Sequence, residues 1–157
     1  MSRQIESIHL IADTTTVTTA LAWLESISHR ESWPTALRFA LTISVDEVLT
    51  NIVSYAFQHA STPDGDNLIK AVSTPYNVCI TCRISASKIQ IEIADNGLPY
   101  NPTHTHPPPL ASSLDNAVIG GLGLRLIRHY ISEISYYYRD EYNHLILSKD
   151  IGNTTDS

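Results

Sequence analysis

Between Pro34 and His59 the chain carries an apolar stripe that only a long helix can present to one side. Leu41, Val45, Val48, Leu49, Ile52, Val53 and Ala56 stand at i, i+4, i+7, i+8, i+11, i+12 and i+15. Such a helix must bury its stripe against a second layer, and the pattern downstream supplies strands for one. Ser61 to Asn67 is a loop by composition. Strands are then predicted over Leu68–Ser73, Val78–Ser85 and Lys88–Ala94, the last two joined as a hairpin by Ala86-Ser87. Upstream, Ile5 to Ala12 alternates as a short strand. Asp13-Thr14-Thr15-Thr16 then offers N-cap residues for a helix over about Thr15 to Ser28. Ser32-Trp33-Pro34 separates the two helices, and Pro34 suits the first turn of the second.

Residues 97–119 break the regular pattern with Pro99, Pro102 and the run Pro107-Pro108-Pro109. A loop this long inside a compact domain is functional or disordered. Gly120-Gly121-Leu122-Gly123 leads into a short apolar helix over Leu124–Ile131. Strands over Glu133–Arg139 and His144–Lys149 then flank a turn at Asp140 to Asn143. Helices first, then strands with one helix inserted, predict an α+β two-layer sandwich. At 157 residues and 43% hydrophobic, one domain spanning 1–157 with a real core is expected.

Charge narrows the partners. Ten Lys and Arg against sixteen Asp and Glu leave a net charge of −6. That balance excludes direct nucleic-acid binding through a basic stripe and an anionic membrane surface as main partner. No apolar run approaches the ~20 residues of a membrane span, and MSRQIESIHL lacks the build of a signal peptide. A soluble, cytoplasmic domain is expected. Cys79 and Cys82 form a C-x-x-C, but on a strand residues three apart face opposite sides. A zinc site would need two more soft ligands at matching spacing, so strand cysteines in a reducing compartment are the expectation.

Three motifs carry chemistry. On the long helix, Glu47 and Asn51 are i, i+4 neighbours about 40° apart. They lie roughly 120–160° from the centre of the apolar stripe. The amide oxygen of Asn51 suits a hard ion such as Mg²⁺, and Glu47 can accept a proton from an attacking hydroxyl. An isolated pair of this kind is also what a solvated helix face contains. Second, the strand Ile91-Glu92-Ile93-Ala94 ends in Asp95-Asn96-Gly97-Leu98-Pro99-Tyr100-Asn101-Pro102, where Gly97 permits a sharp turn or a close ligand. Third, the glycines of Ile119-Gly120-Gly121-Leu122-Gly123-Leu124-Arg125 precede a helix whose N-terminus favours an anion. The chain contains no P-loop motif, and the dinucleotide fingerprint fails for want of a preceding βα strand.

Taken in order, E-x-x-x-N, D-x-G-x-P-Y-N-P, a long loop and G-G-x-G-L resemble the signature of the ATPase superfamily shared by gyrase, the heat-shock chaperone, mismatch-repair proteins and histidine kinases. The resemblance runs from Ile8 to Lys149 and is nearest to the small bacterial anti-sigma-factor serine/threonine kinases. It implies a Bergerat-type sandwich with helices on one face of a mixed sheet. It also implies ATP and Mg²⁺ as cofactors, with Asn51 on the metal and Glu47 as general base. Asp95 would take the adenine amino group, with Gly97 beside the base. Gly120, Gly121, Gly123, Leu124 and Arg125 would lie around the phosphates, and about 101–119 would form an ATP lid. A sigma factor and an anti-sigma-factor antagonist would be partners, and a homodimer is expected by analogy. The lid stretch Thr103–Val118 departs from the pattern, containing His104 and His106 but no Lys or Arg. That departure leaves two readings beside the kinase: an ATP-sensing module that sequesters a partner without transferring phosphate, and a simple ATPase.

Overall fold

The computed structural model describes residues 2–60, 76–104 and 123–152. Strand β1 (Ser2–Ile11) leads into α1 (Thr16–Arg30) and the 26-residue α2 (Thr35–Ala60). Strands β2 (Asn77–Ser85) and β3 (Lys88–Asp95) form the expected hairpin around Ala86 and Ser87. A single 3-10 turn, Pro102–His104, is followed by α3 (Gly123–Tyr130), β4 (Glu133–Arg139) and β5 (Tyr142–Asp150). The strand expected over Leu68–Ser73 and most of the 101–119 stretch lie outside the described residues.

The five described strands stand in the order β1-β2-β3-β5-β4. The two-layer α+β architecture is as expected, while the described strands do not form the expected mixed sheet. Every pairing among the described strands is antiparallel. Tight turns produce two of these pairings, and β5 returns from its hairpin with β4 to run against β3.

Alternation decides what each strand buries. In β2, Val78, Ile80, Cys82 and Ile84 face the helices, and β3 contributes Ile89, Ile91 and Ile93 to the same side. The α2 stripe meets them through Leu41, Val45, Val48 and Leu49, joined by Ala20, Leu24 and Ile27 of α1 and Ile127 of α3. Cys82 is buried in this core while Cys79 points to the opposite face. There its Sγ lies 3.7 Å from His9 Nε2.

The start of α1 differs in detail from its expected cap. Thr15 is the N-cap but makes no side-chain cap bond; Asp13 Oδ1 instead accepts from the Thr15 N–H at 2.7 Å. The buried Thr16 hydroxyl, accepting from Asp13 N–H and donating to the Ile11 carbonyl, joins β1 to the helix.

Candidate nucleotide site

Register brings the ends of three strands together. Val78 pairs with Asp95, and Asp95 pairs with Asn143, so β2 and β5 begin where β3 ends. The chain leaving β3 is held to β2 by Asn96, whose Oδ1 accepts from Asn77 N–H at 2.7 Å. At this end of the sheet lies a cavity of about 250 Å³ lined by Ile52, Tyr76, Asp95, Gly97, Leu98, Pro99, Tyr100 and Asn143. Its wall is apolar and aromatic apart from one carboxylate and one amide, the mix that binds a flat heterocycle.

Asp95 is partly withdrawn from water, and burial pushes its carboxyl above the usual carboxylate range. Hydrogen bonds from Gly97 and Asn143 and the nearby His144 pull the other way. Its Oδ1 accepts from Gly97 N–H at 3.0 Å and from Asn143 Nδ2 at 3.3 Å. Among the described residues no hydrogen bond reaches Oδ2. Gly97 is where the absence of a side chain matters. A Cβ there would lie 2.8 Å from Asp95 Oδ1 and 2.8 Å from Tyr76 Cε1, closer than a carbon tolerates.

Asp95 and Gly97, expected to act together, do line one cavity. Glu47 and Asn51 are half-buried on α2 but are not among its lining residues; α2 reaches the wall through Ile52, next to Asn51. Burial, reinforced by the neighbouring Asp46 carboxylate, raises the Glu47 carboxyl above its ordinary value. Gly123 opens α3, Leu124 follows within it, and Arg125 is exposed on its first turn. Gly120 and Gly121 lie outside the described residues. Among the described residues no group of three or more His, Cys, Asp or Glu could hold a metal ion. Mg²⁺ is ordinarily held by one or two carboxylates together with substrate phosphates, so an amide oxygen such as that of Asn51 would need the phosphates of a bound nucleotide to complete the site.

Tyr76 and Asn143 were not legible as site residues. Tyr76 precedes β2 in the Pro75-Tyr76-Asn77 step, and Asn143 reads as the end of a turn. The available signal was a polar amide at the start of an otherwise apolar strand, which becomes informative only once β5 is paired with β3.

Known proteins resemble this chain over nearly its whole length. Residues 10–149 match the family model described as "Histidine kinase-like ATPase domain". The chain is 44% identical over 148 residues to the serine/threonine-protein kinase BtrW of Bordetella bronchiseptica, covering 94% of this chain and 95% of that protein. Two solved structures share the fold at TM-score 0.57. The RsbU and RsbW domains of a Mycobacterium tuberculosis protein are 12% identical, with 93% of this chain and 32% of that chain covered. The SiaB-SiaC complex of Pseudomonas aeruginosa is 15% identical, with 93% and 89% covered.

Proposed function

Because the chain belongs to the histidine kinase-like ATPase family, together with a serine/threonine-protein kinase, we propose that it is an ATP-dependent serine/threonine-protein kinase of the anti-sigma type. The observation that carries this reading is the Asp95 carboxylate on the wall of an apolar cavity, with Gly97 flush beside it. That chemistry fits a purine: Ile52, Tyr76, Leu98 and Pro99 take its faces, and Asp95 accepts a hydrogen from an exocyclic amino group, which adenine has at that position and guanine lacks.

Bound ATP would supply the phosphoryl group and leave as ADP, and Mg²⁺ would neutralise the charge on the phosphates. The residues of the chain do the rest by positioning. Asn51 would offer an amide oxygen to the metal, and the phosphates would lie toward the start of α3, at Gly123 to Arg125. Glu47 takes the proton of an attacking serine or threonine hydroxyl; its burial raises its basicity for that step. The substrate is a small anti-sigma-factor antagonist, and the second partner is a sigma factor, whose basic surface suits an acidic chain. Two free cysteines fit a cytoplasmic setting, and no helix among the described residues is long and apolar enough to cross a membrane.

Incubation with radiolabelled ATP and candidate antagonists tests this reading. Wild type transfers label to protein, and Glu47→Ala lowers the rate by roughly 10²–10⁴-fold with ATP affinity retained. Full transfer by Glu47→Ala removes the base assignment. The stretch Thr103–Val118, free of Lys and Arg, favours a second reading, an ATP-sensing module that sequesters its partner. Partner binding that follows ATP while the nucleotide stays intact identifies that case.

A further inference from the structure

Asn143 is the most fully engaged polar side chain at the site. It sits second in β5 and is 6% exposed. Its Nδ2 lies 3.0 Å from the Leu98 carbonyl, 3.2 Å from the Gly97 carbonyl and 3.3 Å from Asp95 Oδ1. Its Oδ1 accepts from Tyr100 N–H at 3.0 Å and from the Tyr136 hydroxyl. Two hydrogens thus face three acceptors and one oxygen takes two donors, so the whole capacity of the amide is used. All of these contacts but Tyr136 lie on Asp95 or on the four residues from Gly97 to Tyr100, which form one wall of the cavity.

We propose that Asn143 is the specificity-positioning residue of the base site: it fixes the orientation of Asp95 so that this site takes adenine and refuses guanine. The proposal rests on the assignment of the cavity to the base of ATP. Its logic is geometric. A side chain at the end of a strand can rotate about χ1, but Asp95 Oδ1 is tied on one side to Gly97 N–H and on the other to Asn143. Oδ2 is thereby left as the acceptor. Adenine presents a donating amino group to such an oxygen, whereas guanine presents a carbonyl, and two acceptors meet. Were Asp95 to take a proton, its carboxyl could donate to that carbonyl, and were it to turn, its acceptor would leave the amino group; either way the discrimination would fail. The bond from Asn143 opposes both changes, because hydrogen bonds to a carboxylate hold it ionised against the effect of burial. Tyr136, on the neighbouring strand, sets Asn143 in turn.

The test is the ratio of ATP to GTP dissociation constants, measured by calorimetry on the 157-residue chain as wild type, Asn143→Ala, Tyr136→Phe and Asp95→Ala. In Asn143→Ala the preference for ATP falls about tenfold, the scale of one lost charge-assisted hydrogen bond. In Tyr136→Phe, which removes one hydroxyl and keeps the fold, it falls in the same direction by roughly threefold. A purely structural role would lower the melting temperature and leave the ratio unchanged. An unchanged ratio in Asn143→Ala, or in Tyr136→Phe should Asn143→Ala not fold, overturns the proposal. The two claims separate cleanly. If wild type does not bind ATP, or Asp95→Ala binds it as well, the base-site assignment has failed. If Asp95→Ala loses binding while the Asn143 and Tyr136 ratios hold, only the positioning role has.

Discussion

A carboxylate drawn partly out of water at the end of a strand works against the fold that carries it. Burial raises the Asp95 carboxyl above its ordinary 3.8, so the folded protein binds its proton more tightly than the unfolded chain does. Stability from this group is therefore full below pH ~3.8 and is lost as pH rises through the raised folded value. Asp95→Asn keeps an oxygen for Gly97 N–H and Asn143 Nδ2 and removes the charge. Urea melts are expected to show the variant more stable than wild type at pH 7, with the gap narrowing as pH falls through the raised folded value and closed below about 4. ATP titration is expected to show binding lost. A variant gap that widens toward acid would reverse the sign and discard the argument. The motif D-x-G made Asp95 and Gly97 legible in the sequence, because each needs only its own local turn. Asn143 and Tyr76 were not, because their roles exist only through the β3–β5 and β2–β3 registers.

Elements were legible in proportion to how far their pattern is local. The 26 residues of α2 and the β2–β3 hairpin follow from periodicity and a short turn. The sense of the sheet did not, since pairing β5 with β3 depends on how a hairpin formed elsewhere is docked. That β4–β5 hairpin has a feature no composition rule predicts. Asp140 and Glu141 both take left-handed backbone, at φ 53° and 67°, in a two-residue turn of the kind usually made by Asn-Gly. Glu141 is exposed and makes a poor occupant of that conformation. Glu141→Gly is expected to raise stability by about 1 kcal/mol, read as a higher urea midpoint at unchanged slope. A lower midpoint would show that the strain is not there. Since Asn143 lies two residues on, the same substitution should leave the ATP-to-GTP ratio alone.

At the scale of the whole molecule, one face of the sheet is committed to the helices and, among the described residues, the other is not, and the two cysteines report on the difference. Cys82, 1% exposed under α1, has its thiol pushed up to about 12 chiefly by burial, with Glu6 and Glu31 adding to it. Cys79 is half-buried on the opposite face. Iodoacetamide is expected to modify Cys79 in the native protein. Cys82 should react only at the rate of global unfolding, so mass spectrometry at increasing urea should show its labelling follow the melt. Prompt labelling of both would mean the α1 layer opens on its own. The cavity lies where β2 and β5 start and β3 stops, while Ala86 and Ser87 turn the chain at the far end, beside the start of β1 at Ser2. The molecule is thus polar in the way a tool is, with a working end and a handle. A reporter dye or a tether grafted at Ser87 should ride silently through nucleotide binding, and the same dye at exposed Leu98 should signal it, which makes the fold a ready frame for a biosensor.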